Sequence, residues 1–188
     1  MRLSKIVVGG AQIGNNYGVV GKKLSKNEII KIFNFFQKKK IVTYVDTSPY
    51  YGNSQKLLNL LPKKNLFIIS KIKNIPKDLN KIENYINNFT QNLKNEINKK
   101  VFCIFLHDEK DLDNLKRLKK IKNVFLKLKK KNIIKNFGYS IYDFKKYKKK
   151  IFKIKPDILQ FPYNILDNRV TAKDFKELKK KEIKIYVR

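Results

Sequence analysis

Four polar residues stand at or just after the ends of short apolar runs of the chain: Asp46, Tyr51, Lys71 and His107. A tyrosine hydroxyl has a pKa of about 10 in water, too high for easy proton transfer at neutral pH, and a nearby lysine ammonium lowers that pKa. An aspartate beside the lysine would hold it in place and offset the cost of burying its charge. A histidine could donate a hydrogen bond to a carbonyl oxygen or join a proton relay. Together the four residues predict a site that protonates a carbonyl oxygen while another group delivers hydride.

This prediction depends on the joint placement of the four residues, because each of them alone is more often structural or solvated. A metal site is disfavoured, since one histidine, no paired cysteine and no clustered carboxylates leave too few ligands. Ser/His/Asp hydrolysis is also disfavoured, because Ser140 lies in Gly138–Tyr142, which lacks the Gly-x-Ser-x-Gly pattern. The glycines between Gly9 and Gly18 could let a ligand approach the backbone, but they form neither a dinucleotide-binding fingerprint nor a phosphate-binding loop.

Seven short apolar runs alternate with longer lysine-rich segments, and this alternation is typical of βα units around a parallel sheet. The continuous hydrophobicity of the runs favours strands that are covered on both faces. Because ligands bind at the carboxyl ends of such strands, the four polar residues would lie where a substrate can reach them. The predicted strands are Lys5–Val8, Ile41–Asp46, Leu66–Lys71, Val101–Leu106, Ile134–Tyr139, Ile158–Phe161 and Ile183–Val187.

The segments between the strands carry helix signals. Ser25 and Glu28 form a capping-box pattern before an apolar face, which predicts a helix that packs on the core. Apolar residues at helical spacing predict two further helices, over Asp78–Leu93 and Asp111–Lys131. Without a low-complexity linker or a Pro/Gly-rich hinge, we expect residues 1–188 to form a single domain.

The chain is strongly basic, with 45 Lys and Arg against 15 acidic residues and a formal net charge of +30. Only four of the basic residues are Arg, and the lysines are spread over every predicted helix and turn. This distribution favours a solvated lysine surface with weak polyanion binding over a specific nucleic-acid partner.

The compartment is indicated by cysteine use and by the apolar runs. Cys103 is the single cysteine of the sequence, so no disulfide can form within the chain, which fits a reducing compartment. No run has the length of a signal peptide or a transmembrane span, so we expect a cytoplasmic protein with no membrane partner.

Five motifs, in chain order, resemble those of the aldo/keto reductase family. Asp46–Ser54 resembles the family's Asp-Thr-Ala-x-x-Tyr-Gly-x-Ser block. Ile69–Lys71 and Leu106–Asp108 resemble the family's strands that end in lysine and in histidine. Gly138–Ser140 is similar to a Gly-Val-Ser motif, and Gln160–Asn164 to a Gln-x-x-Tyr-Asn motif. Since the resemblance covers essentially the whole chain, it is far more specific than any one motif.

The resemblance implies an α/β fold, the (β/α)8 TIM barrel, and an enzyme that reduces a small-molecule carbonyl substrate with NADPH, or less often NADH. It implies that Tyr51 is the general acid and that Lys71 and Asp46 tune it. His107 would orient the carbonyl group.

The resemblance also implies a set of cofactor contacts. Ser140 and Gln160 would hold the nicotinamide carboxamide, and Arg188 would stack on the nicotinamide face. Ile141 departs from the family, which often has Asn at this position. The glycine-containing segment after the first strand and Phe161–Asp167 are similar to a bacterial branch associated with sugar-nucleotide or surface-polysaccharide pathways.

The chain stops at Arg188, on the seventh predicted strand, so the family's eighth strand, its last helices and the loops after strands seven and eight have no counterpart here. Those loops bind the pyrophosphate and adenosine of the cofactor, and we therefore expect a truncated barrel with weak cofactor affinity. Unpaired strand edges would favour instability or self-association. An inactive barrel fragment and a basic nucleic-acid binder are the alternatives to an oxidoreductase.

Overall fold

A computed structural model describes residues 3–18, 21–62 and 64–188, in which seven strands alternate with helices along the chain. The strands are β1 Leu3–Gly9, β2 Val42–Asp46, β3 Leu66–Ile72, β4 Lys100–Leu106, β5 Asn136–Ser140, β6 Ile158–Phe161 and β7 Lys184–Val187. The helices are α1 Ala11–Gly14, α2 Lys26–Lys38, α3 Ser54–Asn59, α4 Ile82–Ile97, α5 Leu115–Lys130, α6 Phe144–Ile154 and α7 Ala172–Lys180, with a short 3₁₀ helix over Glu109–Leu112. Each of the seven predicted strands is confirmed, with ends that differ by at most two residues.

The chain divides into two compact units, of which the first comprises Met1–Lys71 and Asn88–Phe102. In this unit β1, β2 and β3 lie side by side and parallel, with Gly9 opposite Asp46 and Asp46 opposite Ile69. The carboxyl ends of the three strands therefore lie at one edge of the sheet. The predicted capping box at the start of α2 is confirmed, because Ser25 and Glu28 exchange both hydrogen bonds.

The second unit comprises Ile72–Asn87 and Cys103–Arg188. Here β4, β5, β6 and β7 are parallel neighbours in that order, with Leu106 opposite Tyr139, and Gln160 opposite both Ser140 and Tyr186. Every residue of β6 is buried, as is every residue of β5 except the first, which is partly buried. Such continuous burial is the expected result of the unbroken hydrophobic runs in the sequence.

The prediction of one helix over Asp111–Lys131 is wrong at its start. The chain first forms the 3₁₀ helix, capped by the Asp108 side chain, and α5 begins afresh after Asn114. The Asn114 side chain accepts a hydrogen bond from the backbone N–H of Arg117, which starts a new helix at this point. Similarly, α4 begins at Ile82 and not at Asp78, whose side chain and carbonyl hold a turn before it.

A buried cluster around Arg117 joins the 3₁₀ helix to the segment that follows β3. The guanidinium of Arg117 donates to the Asp111 carboxylate at 2.7 Å and to the backbone carbonyls of Ile75 and Pro76 at 2.5 and 3.1 Å. Both charged side chains are at most 10% exposed. Burial raises the pKa of Asp111, while the hydrogen bond and charge of Arg117 act against that rise.

Asp174 should stabilise the second unit only while it is ionised. Burial raises its pKa, but hydrogen bonds from Lys148 and from Thr171 outweigh burial and lower the pKa to about 2. Because this pKa lies below the value of 3.8 for a free side chain, the stabilisation is complete above about pH 4 and is lost as the pH falls through about 2. We expect Asp174→Asn to lower the free energy of unfolding by about 1 kcal/mol at about pH 6, through loss of the capping box at α7.

Urea unfolding of the wild type and Asp174→Asn at several pH values checks this prediction. The difference between the two proteins should shrink toward zero at about pH 2. A difference that stays constant over the acid range would contradict it.

Candidate active site

Three of the predicted site residues come together in the first unit, at the carboxyl ends of β2 and β3. Lys71 is 1% exposed, and its ammonium forms a hydrogen-bonded ion pair with the half-buried carboxylate of Asp46. The same ammonium lies 5.1 Å from the centre of the Tyr51 ring. A buried lysine requires a paired anion to offset desolvation, and Asp46 supplies it. The arrangement places a fixed positive charge beside a phenol.

The segment that carries Tyr51 is held by buried hydroxyl groups. The Ser54 hydroxyl donates to the Gly10 carbonyl and shares a hydrogen bond with the Thr47 hydroxyl, both at 3.0 Å. Ser54 and Thr47 are fully buried. The backbone N–H of Tyr51 donates to the Ser48 carbonyl at 3.0 Å. Because these groups leave the backbone little freedom, Tyr51 is presented from a rigid turn rather than from a loose loop.

Two glycines that follow β1 allow the turn that carries Tyr51 to pack closely against the chain there. A Cβ on Gly14 would lie 1.6 Å from the Tyr51 carbonyl oxygen, and one on Gly10 would lie 2.7 Å from the Asp46 carbonyl oxygen. These two glycines therefore make room for the protein's own backbone around the site.

Replacing Gly14 with alanine should destabilise the chain and displace the Tyr51 turn. The added methyl group cannot fit against the Tyr51 carbonyl, so we expect a loss of about 1–3 kcal/mol in the free energy of unfolding. Gly9→Ala is the matched control, because a Cβ there meets no atom within 4 Å. It should change the free energy by less than about 0.5 kcal/mol. Equal stability of the two variants in urea unfolding would contradict the close packing.

His107 belongs to the second unit, where it directly follows β4. Its backbone N–H donates to the carbonyl of Ile72, the last residue of β3, at 2.9 Å, and its side chain is partly buried. This hydrogen bond fixes the backbone of His107 at the carboxyl end of β4.

Ser140 and Gln160 come together at the ends of β5 and β6. The Ser140 hydroxyl donates to Gln160 Oε1 at 2.9 Å, and both side chains are 3% exposed. The backbone N–H of Ile141 donates to the Gln160 carbonyl at 2.9 Å, and the Ile141 side chain is buried. A hydroxyl and an amide fixed side by side have the donor and acceptor chemistry that can bind a carboxamide.

Arg188, which follows β7, contacts Tyr142. Its guanidinium lies 4.2 Å from the centre of the Tyr142 ring and donates to the Tyr142 hydroxyl at 3.3 Å. Its backbone N–H donates to the Phe161 carbonyl at 3.2 Å. This pairing of a guanidinium with an aromatic ring was not predicted from the sequence.

The described ranges hold no group of three or more His, Cys, Asp or Glu residues that could bind a metal ion. No helix in this part of the chain is both long and apolar enough to cross a membrane.

The sequence profile of the aldo/keto reductase family matches residues 5–188, and the chain belongs to this family of oxidoreductases. None of the curated protein sequences is significantly similar to the chain.

Solved structures of aldo-keto reductases share the fold. A Pseudomonas aeruginosa protein assigned to this class matches with a TM-score of 0.78 and 16% identity, over 100% of this chain and 73% of that one. The holo form of an aldo-keto reductase from Bacillus halodurans matches with a TM-score of 0.75 and 17% identity, over 100% of this chain and 62% of that one. A glycerol dehydrogenase from Gluconobacter oxydans matches with a TM-score of 0.70 and 15% identity, over 98% of this chain and 59% of that one. The fold is thus an incomplete (β/α)8 barrel, of which the described residues supply seven strands.

Proposed function

We propose that this chain reduces an aldehyde or a ketone to an alcohol with NADPH or NADH, and that Tyr51 is the general acid. The observation that carries the proposal is the buried Lys71, paired with Asp46 and 5.1 Å from the centre of the Tyr51 ring. Burying a charged ammonium costs free energy, and its place beside the partly buried Tyr51 favours a role in chemistry over a purely structural one.

The chemistry that we assign to these residues is proton transfer. Tyr51 gives its proton to the carbonyl oxygen as the carbonyl carbon receives hydride, and the phenolate then regains a proton from solvent. The positive charge of Lys71 favours loss of that proton. Asp46 keeps Lys71 charged and fixed in place. We propose that His107 donates a hydrogen bond that orients the carbonyl group, because the resemblance to the family implies this role.

The residues at the ends of β5 and β6 fit a nicotinamide cofactor, which supplies the hydride when bound. Ser140 and Gln160 would bind its carboxamide, because they present a hydroxyl and an amide side by side. Arg188 would stack on the nicotinamide ring, since its planar guanidinium suits an aromatic face and already lies over the ring of Tyr142.

We further propose a sugar or sugar-nucleotide carbonyl as the substrate, NADPH ahead of NADH as the cofactor, and one domain over residues 1–188. The substrate rests on the resemblance to the bacterial branch described above, and the cofactor rests on the resemblance to the family. The single domain rests on a sequence that shows no low-complexity linker or Pro/Gly-rich hinge. A cytoplasmic location is proposed because the sequence has a single cysteine, Cys103, and therefore cannot form a disulfide within the chain.

A panel of aldehydes, ketones and sugars, each offered with saturating NADPH or NADH, tests the proposed function. Cofactor oxidation that depends on the carbonyl compound, together with the alcohol product, is the expected result. The second candidate, an inactive barrel fragment, predicts no turnover with any compound. It also predicts weak NADPH binding by the 188-residue chain in a fluorescence titration.

A further inference from the structure

A single carboxylate in the second unit links the segment after His107 to the segment after Ser140. Glu109 is the first residue of the 3₁₀ helix, two residues after His107. One of its carboxylate oxygens accepts hydrogen bonds from the backbone N–H groups of Tyr142 and, at 2.9 Å, of Asp143. Neither backbone group belongs to a strand or to the body of a helix, because β5 ends at Ser140 and α6 begins after Asp143.

The carboxylate of Glu109 is presented from an anchored element. The Asp108 side chain accepts from the backbone N–H of Lys110 at 2.9 Å and so caps the 3₁₀ helix. Asp111 is held by the buried Arg117, and Leu112 is 1% exposed. Since the 3₁₀ helix is fixed on its buried side, Glu109 can hold the neighbouring backbone in one position.

Tyr142 and Asp143, which Glu109 holds, lie next to residues that we propose bind the cofactor. Ser140 is bonded to Gln160, and Tyr142 pairs with the guanidinium of Arg188. The Tyr142 side chain is itself 57% exposed, so packing does little to fix its ring. The backbone of Tyr142 is therefore restrained by its hydrogen bond to Glu109, next to the bond from the Ile141 N–H to the Gln160 carbonyl, and this restraint directs Tyr142 toward Arg188.

We propose that Glu109 is a positioning residue for cofactor binding. It holds Ser140–Asp143 so that the carboxamide-binding pair and the Tyr142–Arg188 pair keep their places, and it acts through them without touching the cofactor. The proposed effect on cofactor binding rests on the proposed function. The proposed restraint on the backbone rests only on the hydrogen bonds that Glu109 accepts.

The experiment compares the wild type with Glu109→Ala and Glu109→Gln. Amide hydrogen exchange over residues 140–146 reports the restraint, and a fluorescence titration reports the NADPH dissociation constant. In Glu109→Ala we expect exchange in this segment to speed up about tenfold and NADPH to bind about fivefold to tenfold more weakly, because two backbone donors lose their acceptor. Glu109→Gln keeps a carbonyl oxygen as acceptor and should restore both values to within about twofold.

Glu83→Ala is the control, since Glu83 is a surface carboxylate of the same unit that pairs with Lys127 at 2.7 Å. It should change neither measurement. Unchanged exchange in Glu109→Ala, or a Glu109→Gln variant as impaired as Glu109→Ala, would overturn the positioning role. Faster exchange with unchanged NADPH affinity would overturn the link to the cofactor. If the wild type binds no NADPH, the proposed function and the proposed effect of Glu109 on cofactor binding fail together. The exchange data still test whether Glu109 restrains the backbone.

Discussion

Replacing Tyr51 with phenylalanine should lower kcat for carbonyl reduction by about 10²–10⁴-fold, the usual contribution of a positioned general acid. The variant keeps the ring against which the Lys71 ammonium lies and loses only the hydroxyl. NADPH affinity should therefore change little. Steady-state kinetics with saturating cofactor, combined with an NADPH titration, measures the two effects separately.

Tyr50→Phe provides a matched control for this prediction. Tyr50 is the neighbouring tyrosine, 41% exposed, in the same turn of the chain. Loss of its hydroxyl should leave kcat within about twofold, as expected for a surface substitution away from the reacting atoms. If Tyr51→Phe retains wild-type kcat, or if Tyr50→Phe loses as much activity as Tyr51→Phe, then Tyr51 is not the acid.

Replacing Arg117 with leucine should lower the free energy of unfolding by about 3–5 kcal/mol, which is the largest stability effect that we expect for this chain. The substitution leaves the Asp111 carboxylate buried without its cation and removes the donors to the Ile75 and Pro76 carbonyls. Because burial raises the pKa of Asp111, the variant can relieve part of this penalty by protonating the carboxyl group at low pH. The destabilisation should thus be smaller in mildly acidic buffer than at neutral pH.

Two further variants show whether the buried charge causes the effect. The double variant Arg117→Leu/Asp111→Leu removes both charges and should recover at least half of the lost stability, as for other buried pairs replaced by apolar residues. Arg169→Leu removes an equally well-formed pair with Asp167, but Arg169 is 57% exposed. It should cost far less stability than Arg117→Leu, because solvent screens an exposed ion pair. Urea unfolding in which Arg117→Leu is no worse than Arg169→Leu would contradict this explanation.

The positions of the strands and of several site residues could be predicted because each depends on a local pattern. Apolar runs of strand length gave strands whose ends are right to within two residues. Asp46 and Lys71 end such runs, so their meeting at one edge of the sheet follows from parallel pairing of β2 and β3. The pairing of Ser140 with Gln160 follows in the same way from β5 and β6.

Contacts that depend on irregular segments could not be predicted. Arg117 stood in a lysine-rich helical pattern, and nothing in its neighbours along the chain shows that its guanidinium would be buried against Ile75 and Pro76. Glu109 and Tyr142 are 33 residues apart and meet only through the turns after β4 and β5. The break at Asn114 was a missed signal, because asparagine is a common helix cap.

The most direct test of the proposed function is the transfer of deuterium from NADPH labelled at nicotinamide C4 to a carbonyl substrate, read by NMR of the alcohol product. We predict deuterium on the former carbonyl carbon in the wild-type reaction and almost none with Tyr51→Phe in the same time. A folded wild-type chain that binds NADPH but yields no deuterated alcohol from any carbonyl compound would contradict the proposed function.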